Sequence, residues 1–497
     1  MDNQDLIPEN KEVQVTKKDK FQLLLFSLFT AVTFDYLFYD ELIGISYPIF
    51  IIILFTGFWW NTRNKFPFNR RSLPLLIIIV LLSATFAIYS NPVLKTINFL
   101  LIPLLLVSFT LVSTNREYKW WGINTLADII RRCGPLSILN FAKPFLILSQ
   151  DFKPDQQGPA SKTGKNILIG LLVSVPILLL VVPLLSSADL VFNTYITNLT
   201  KNWEFANFQS FSTQSIIIFA SFVYVFAYIW SFYAKHPYSP TKVISFNFAW
   251  DPTIVLTVLT VINIVYLLFS VIQFSYLYGG SVHQLPAGFT YSEYARRGFW
   301  ELVAVTMINL SIMLSCMRFV RRDNKTAYLV SRIFLGLLVI FSLNMLFSAH
   351  LKMSLYEDAY GLTYLRVFVH YFMGLLLAFL LLAFGNITVF RINLVKSFII
   401  VSLVFYTALN FINVDHLIVQ HNLKVNAKTG EVDISYILHL SNDVIPALVD
   451  YTKAHDNPAA RQLRPYLSNK KDHMKPGNWK SFNYSRYKAR RALSDFE

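Results

Sequence analysis

The sequence predicts an all-α protein: a bundle of about eleven membrane-spanning helices with a small, mostly helical C-terminal tail outside the membrane. The first observation is a series of roughly eleven apolar stretches of about 18–25 residues between Phe21 and Val414, each long enough to cross a bilayer as a helix. The second is composition, with 54% hydrophobic and only 15% charged residues, against roughly 45–50% and 25% in soluble domains. The third is the abundance of Phe (44) and Tyr (26), which suit lipid-facing and interfacial positions.

The apolar stretches follow one another with mostly short polar connections. They cover residues 21–38, 43–60, 73–90, 95–113, 166–187, 214–234, 253–277, 299–317, 328–349, 364–386 and 393–414. The fifth contains Pro176 and Pro183, which indicate a kinked or broken helix. A broken helix forms a midplane binding site in some transporters, whereas in most packed helices a proline only bends the chain. The sequence leaves both interpretations open.

The basic residues orient the chain, because cytoplasmic connections of membrane proteins are enriched in Lys and Arg. The connections on the side of the N-terminal tail hold Arg63–Arg71, several basic residues between 116 and 165, and Arg318–Lys325. The opposite connections before the C-terminal tail hold only Lys95, Lys201, Arg296, Arg297, Lys352 and Arg366. We therefore predict a cytoplasmic tail (1–20), a transmembrane bundle (21–414) and an extracytoplasmic C-terminal tail (415–497).

The connection 114–165 is long and amphipathic. It mixes Trp120 and Trp121 with apolar residues and with Arg131 and Arg132. This pattern predicts short helices at the inner membrane surface, with the arginines towards anionic lipid. A plain connector covering the bundle and a regulatory surface remain alternative interpretations.

Most ionisable residues near the span ends cluster on the predicted outer side. The candidate outer polar site consists of Asp189, Glu293, Arg296, Arg297, Glu301, His350, Arg366 and His370. Near them we place Asp35, Asp40, Glu41, Glu357, Asp358 and Asp415. Such a set binds a cation, relays protons or orients a lipid headgroup. The alternative is structural, with Glu301 and Arg366 as an ion pair and His370 as a packing residue. We expect the intramembrane Asn263, Asn309, Asn344 and Asn386 to bond between helices.

Several motifs are absent, and their absence excludes familiar chemistries. The sequence has no phosphate-binding GxxxxGK[ST] loop, no HExxH or paired CxxC, and no GxSxG elbow. We therefore predict no metal or cofactor and identify no catalytic residue. The net charge of +15 sits mostly in juxtamembrane loops, where lipid phosphate explains it, so we expect the lipid bilayer and not nucleic acid as partner.

Three segments together resemble a family of bacterial membrane proteins, domain of unknown function 4173. They are SSADLVF (186–192), TYSEYARRGFWELVAVTMINL (290–310) and NVDHLIVQHNLKVNAKTGEVDISYILHLSNDVIPALV (413–449). The family-pattern positions are Asp189, Tyr294, Arg296, Gly298, Phe299, Glu301, Asn422, Asp433, Tyr436, Ser441, Asp443 and Pro446. The resemblance implies a multi-pass protein of the bacterial cytoplasmic (inner) membrane and implies no activity.

The tail supplies a docking hypothesis and two function classes. We expect its helices to dock over the outer site through Asp433, Tyr436 and Asp443, with Asp433 or Asp443 pairing with Arg296 or Arg297. Alternatively, Asp443 only caps a short helix. The favoured function is non-enzymatic: a transporter, or an envelope sensor or scaffold whose tail meets an envelope protein. The alternative is a lipid- or glycan-modifying enzyme using outer carboxylates such as Asp35, Asp40 and Glu41.

Overall fold

The structure, a computed structural model, describes residues 15–66, 68–114, 121–151, 185, 192, 194–195, 208–233, 250–277, 299–321, 324–389, 392–429, 433–474 and 476–496. Its helices are α1 (Lys17–Phe38), α2 (Ser46–Thr62), α3 (Leu73–Ile88), α4 (Pro92–Thr114), α5 (Ile123–Arg131), α6 (Lys143–Asp151), α7 (Phe208–Tyr233), α8 (Pro252–Leu277), α9 (Phe299–Phe319), α10 (Lys325–Tyr360), α11 (Tyr364–Thr388), α12 (Leu394–Phe411), α13 (Val414–Thr429), α14 (Ile434–Leu438), α15 (Ile445–Ala454), α16 (Pro458–His473) and α17 (Tyr484–Ser494). Short helical turns lie at Arg70–Ser72, Arg132–Leu136, Ser137–Leu139, Asn442–Val444 and Trp479–Ser481.

Helices occupy every predicted span that the described residues cover, which confirms the all-α, multi-pass bundle. Within the described residues, nine helices are long and apolar enough to cross a membrane. The helix α2, with 17 residues, is slightly shorter than these. The predicted span 166–187 lies outside the described residues, apart from Leu185.

Two helix ends depart from the predicted boundaries for local reasons. The helix α1 begins at Lys17 because Thr16 and Asp19 form a capping box, each accepting a hydrogen bond from the other's backbone amide. The helix α10 runs for 36 residues and ends at Gly361, whose φ of 73° is in the left-handed region. Our prediction that this span ends near residue 349 was wrong, because no glycine or proline occurs between residue 349 and Gly361.

The chain divides into two compact units. The first consists of Met1–Ala87, Ile97–Val243 and Gly477–Asn483, and the second of Ile88–Thr96, Ile244–Pro476 and Tyr484–Glu497. In the first unit, α1 packs along α7 and α2 around a core that includes Leu23, Phe58 and Phe226. A short tail segment also contacts the α1–α2 connection, where the Ile45 amide donates to the Phe482 carbonyl at 2.9 Å.

In the second unit, α8 to α11 pack around an apolar core, and amides join the helices as expected. Asn263 Nδ2 donates to the Phe334 carbonyl at 3.1 Å, Asn309 Nδ2 to Ser342 Oγ at 2.8 Å, and Asn344 Nδ2 to Ser270 Oγ at 3.2 Å. The fourth, Asn386, instead bonds to the Ile392 carbonyl in the connection after α11. Three of the four predicted inter-helix amides are therefore confirmed.

The C-terminal helices of this unit, α13 to α17, have an apolar core of their own. Ile418, Val444, Leu448 and Leu463 are all fully buried in it. Amphipathic α16, for example, turns its leucines inwards and its charged residues to solvent. The mostly helical C-terminal tail is thus confirmed, and the structure shows that it is closely packed.

The amphipathic connection 114–165 is helical in its described part, residues 121–151. Leu126 and Ile130, one turn apart on α5, are 52% and 64% exposed, as expected of a helix at a membrane surface. Arg131 is exposed, whereas Arg132 lies 4.2 Å from the centroid of the Phe232 ring and donates to a carbonyl of α7. Our expectation of a lipid-facing side chain was therefore wrong for Arg132, because its guanidinium stacks on an aromatic ring at the end of α7.

Candidate functional site

A buried carboxylate, Asp415, lies at the start of α13 and is only 1% exposed. Its Oδ1 accepts hydrogen bonds from the Ser441 amide at 3.0 Å and from the Tyr364 hydroxyl, and its Oδ2 accepts one from Asn91 Nδ2 at 2.6 Å. Three donors satisfy a buried carboxylate well. Because Asn91 lies in the connection before α4 and Tyr364 begins α11, Asp415 joins the C-terminal helices to the membrane bundle of the second unit.

A second buried carboxylate, Asp443, lies nearby in the turn before α15. Its Oδ2 accepts hydrogen bonds from the Ser90 amide at 2.7 Å and from the Ser441 hydroxyl at 2.8 Å. Burial raises the pKa of Asp443, hydrogen bonds from serines oppose that rise, and the charge of Asp415 adds to it. We call Asp415, Asp443 and their donors the tail junction.

The helix α13 also binds the connection between α10 and α11. Asn422 accepts from the Leu362 amide at 2.6 Å and donates to the Leu362 carbonyl at 3.0 Å. A Cβ atom at Gly361 would lie 2.6 Å from Asn422 Oδ1, so glycine permits this close approach. The Tyr364 amide donates to the Tyr436 hydroxyl at 2.8 Å. The predicted docking residue Tyr436 therefore contacts the bundle of this unit.

The other two docking candidates have different roles. Asp433 caps α14 by accepting a hydrogen bond from the Tyr436 amide at 3.0 Å. Asp443 follows Ser441, which caps the turn Asn442–Val444, and bonds to the α3–α4 connection as described above. The four candidates Asp189, Glu293, Arg296 and Arg297 lie outside the described residues, so the pairing of a tail aspartate with Arg296 or Arg297 stays a prediction.

Two candidate histidines and a glutamate come together at the end of α10 and the start of α11. His370 Nδ1 lies 2.8 Å from Glu357 Oε1, and the rings of His350 and His370 meet edge to face with centroids 4.8 Å apart. Glu357 is 8% exposed. We predicted Glu357 in a loop, which was wrong because α10 continues to residue 360. We call these three residues the histidine cluster.

The remaining candidates, Arg366 and Glu301, do not form the ion pair that we left open. The Arg366 guanidinium lies 4.2 Å from the centroid of the Tyr356 ring and donates to the Tyr360 carbonyl at 2.9 Å. It therefore caps the C-terminal end of α10. Glu301 is exposed on α9 and acts electrostatically on the buried Lys352. Among the described residues, no group of three or more potential ligands is placed to hold a metal ion.

Sequence reasoning missed most donors of the tail junction. Ser90, Asn91 and Tyr364 are uncharged and stand at span ends, where turns and caps also favour such residues. Their position could have indicated this role, because all three lie at the end of a predicted span on the same side as Asp415.

A known protein family covers most of the chain, including the residues described above. The family model for Domain of unknown function (DUF4153) matches residues 76–451. The chain belongs to the DUF4153 family. The resemblance to a domain family of unknown function is confirmed, but the number 4173 is not matched, because short motifs separated by long apolar stretches discriminate poorly between membrane families. The DUF4153 match includes the tail junction and the histidine cluster and ends within α15. Neither a curated protein nor a solved structure matches the chain.

Proposed function

We propose that this DUF4153 protein is a non-enzymatic scaffold of the bacterial cytoplasmic membrane whose C-terminal helices meet an envelope protein on the extracytoplasmic side. The observation that supports this most is the tail junction. Asp415 and Asp443 are buried beneath a closed apolar core and bonded to connections between spans. A tail fixed in this way presents a constant surface to a partner.

The charges at the two ends of the helices support the side assignment. In the second unit, one end carries Arg318, Arg321, Lys325, Arg332 and Lys396. The other end, where the tail junction lies, carries only Lys95, Lys352 and Arg366 before the tail begins, among the described residues. The enrichment of cytoplasmic connections in basic residues therefore supports an extracytoplasmic tail.

Two contacting residues on one side of a membrane require an even number of crossings between them, so this layout needs the span that the sequence predicts over 166–187 as well as the described helices. Asn91 precedes α4 and Asp415 follows α12, and their contact places both on one side. The described helices between them, α4 and α7 to α12, are an odd number of crossings. The span predicted over 166–187, outside the described residues apart from Leu185, would make that number even.

The surface proposed for the partner is the solvent face of α16. This helix buries Leu463 and Leu467 completely and exposes Arg461, Arg464 and Lys471. Asp456 lies 3.3 and 3.4 Å from the two arginines, and Asp472 is exposed on the same helix. Because the helix carries four basic residues, Arg461, Arg464, Lys470 and Lys471, the face is still basic overall. We expect the partner to present an acidic surface.

A labelling experiment tests the side of the tail. In a variant whose native Cys133 and Cys316 are replaced by alanine, Asp472→Cys on α16 should react with a membrane-impermeant maleimide in intact spheroplasts. Asn64→Cys, in the connection after α2, is the matched exposed control and should react only after permeabilisation. The reverse pattern would place the tail in the cytoplasm and remove the proposed envelope partner.

A crosslinking experiment tests the scaffold role. A photoreactive residue at Lys471 should give a discrete adduct in native membranes, and the adduct should decrease at least tenfold when Asp415→Ala loosens the tail. A photoreactive residue at Lys396, at the other end of the helices, is the control position. An adduct that is unchanged by Asp415→Ala would contradict the requirement for a fixed tail.

The histidine cluster favours a second candidate function, proton-linked transport. A histidine 2.8 Å from a largely buried carboxylate, with a second imidazole in contact, has the groups that a proton relay requires. In proteoliposomes, His370→Gln should then abolish proton uptake that depends on the transported solute. Solute-independent or unaltered proton flux would leave only the scaffold role.

The enzyme alternative has less support from the described carboxylates. Glu41 lies 2.9 Å from Asn478 Nδ2 and 3.6 Å from Lys480 Nζ, and both tail-junction aspartates are bonded and buried. Two cavities among the described residues, of about 820 and 420 Å³, have neither Glu301 nor His370 in their walls, and the carboxylate that lines the larger one, Asp251, lies with Arg321 at the opposite end of the helices from the candidate outer site. A lipid- or glycan-modifying site needs open space beside its carboxylates, so we favour the scaffold.

A further inference from the structure

A cavity of about 420 Å³ lies within the first unit, between α1, α2, α4 and α7. Its volume falls in the range of roughly 300–1,000 Å³ typical of small-molecule sites. Phe26, Phe58 and Phe109 form its largely buried floor, and Leu104 and Tyr224, at its mouth, are 43% and 41% exposed. Because these helices are membrane spans, the mouth opens towards lipid and not towards water.

The walls of this cavity are uncharged but not wholly apolar. Among the described residues that line it there is no Asp, Glu, Lys or Arg. Thr30 lines it, with its side chain fully buried and its hydroxyl without a hydrogen-bond partner in the described part of the chain. A threonine on a helix ordinarily bonds to a carbonyl one turn earlier, as Thr62 does here to Phe58 at 2.7 Å. An unpaired hydroxyl in hydrocarbon is unfavourable unless a ligand supplies its partner.

The wall that α4 contributes to the cavity contains a proline. Pro103 is inside this helix and lines the cavity. Because proline has no amide hydrogen, the carbonyl four residues earlier loses its helical donor. Thr110 and Tyr228 also line the wall, but their hydroxyls bond to each other. We therefore look for the ligand's hydrogen bond at Thr30, close to the middle of α1.

We propose that this cavity binds a neutral lipid that carries one uncharged oxygen group, a carbonyl or a hydroxyl, hydrogen-bonded to Thr30. The uncharged lining disfavours phospholipid headgroups, and the aromatic walls suit a ring or an unsaturated chain. A prenyl quinone and an isoprenoid alcohol share this chemistry. This inference is independent of the proposed scaffold role.

Equilibrium binding to the purified full chain in detergent tests the proposal, with radiolabelled decyl-benzoquinone and farnesol as the two neutral probes and dioleoyl phosphatidylglycerol as the charged one. Thr30→Val should weaken binding of an oxygenated neutral probe about five- to tenfold, the value of one hydrogen bond. Ser27→Ala is the matched control, because the buried Ser27 hydroxyl on the same helix already bonds to the Leu23 carbonyl at 2.8 Å. The probe that responds to Thr30→Val identifies the carbonyl or the hydroxyl as the ligand group.

A second pair of variants tests the space itself. Leu104→Trp should obstruct the mouth and lower probe binding more than tenfold without lowering the thermal unfolding temperature. Ile97→Trp, on the same helix and also 43% exposed but outside the cavity, should leave binding unchanged. Equal affinities for Thr30→Val and Ser27→Ala, or tighter binding of the charged lipid, would overturn the proposal. A lower unfolding temperature of Leu104→Trp together with unchanged probe binding would also overturn it, because this result would show that protein side chains fill the cavity.

Discussion

The tail junction and the histidine cluster gather acidic side chains in one unit of the molecule, yet they use them differently. In the tail junction, Asp415 and Asp443 accept from amides and hydroxyls, and an apolar core covers them. In the histidine cluster, the partner of Glu357 is an imidazole, a group that in general titrates near neutral pH. Acidic residues on one side of a membrane protein therefore do not define one shared site. The kind of hydrogen-bond donor distinguishes the two: amides and hydroxyls in the tail junction, which has a structural role, and an imidazole in the histidine cluster, which is a candidate proton relay.

The strongest test of this comparison is Asp415→Ala. The change leaves three donors, on the buried Asn91 and the half-buried Ser441 and Tyr364, without their acceptor. We expect a loss of about 3–5 kcal/mol in the free energy of unfolding, a size typical of a broken buried network. Thermal unfolding in detergent measures it, with Asp450→Ala, exposed on α15, as the control. A loss no larger than that of the control would mean that the tail is held in another way.

The spans were predictable because their cause is local: a bilayer requires about 20 consecutive apolar residues, and the chain shows them. The tail junction was only half predictable. Its carboxylates are visible in sequence as charges at span ends, but Asn91 and Tyr364 become donors only through contacts with Asp415, from which each is more than fifty residues distant in sequence. The extension of α10 to Tyr360 was predictable in principle but was missed. Gly361 is a local signal for the end of a helix, whereas the span end was placed from hydropathy alone.

A smaller effect is expected in the histidine cluster. Glu357→Gln keeps a hydrogen-bond acceptor for His370 but removes the charge, so we expect a loss of about 1 kcal/mol in unfolding free energy. The adjacent Asp358→Asn, on the same helix, is the matched control. Thermal unfolding of both variants at neutral pH measures the difference. A loss as large as that of Asp415→Ala would make this cluster a second structural joint.

Within the tail, Asp433→Ala separates a helix cap from a docking residue. Asp433 accepts only from the Tyr436 amide among its described contacts, so we expect a loss of about 0.5–1 kcal/mol, the range of an exposed cap. Asp433→Asn should restore most of it, because asparagine caps equally well. Thermal unfolding of the two variants measures this. If asparagine failed to restore stability, the negative charge itself would matter, as the predicted pairing with Arg296 or Arg297 requires.

We expect the smallest change in the free energy of unfolding at neutral pH for Asp443→Asn. This variant is informative through the pH dependence of stability. Burial raises the pKa of Asp443 above the ordinary 3.8, so the folded protein holds this proton more tightly than the unfolded chain does. The contribution of Asp443 to stability is therefore fully present below pH 3.8 and is lost as the pH rises through the raised pKa. The amide cannot ionise, so Asp443→Asn should remove this decline.

Hydrogen exchange of α15, followed between about pH 4 and pH 8 in the full chain, reads this out at the tail itself. Lys95 and Arg486 act electrostatically on this region, and Asp415 adds a negative charge beside Asp443. The unsubstituted protein and the Asp443→Asn variant share these groups, so the difference between their two profiles isolates one carboxyl. Parallel pH profiles of the two proteins would show that Asp443 is ionised over the whole pH range, and the tail junction would then contain two charged carboxylates. Convergence of the two profiles towards low pH is the result expected of a neutral, buried acid.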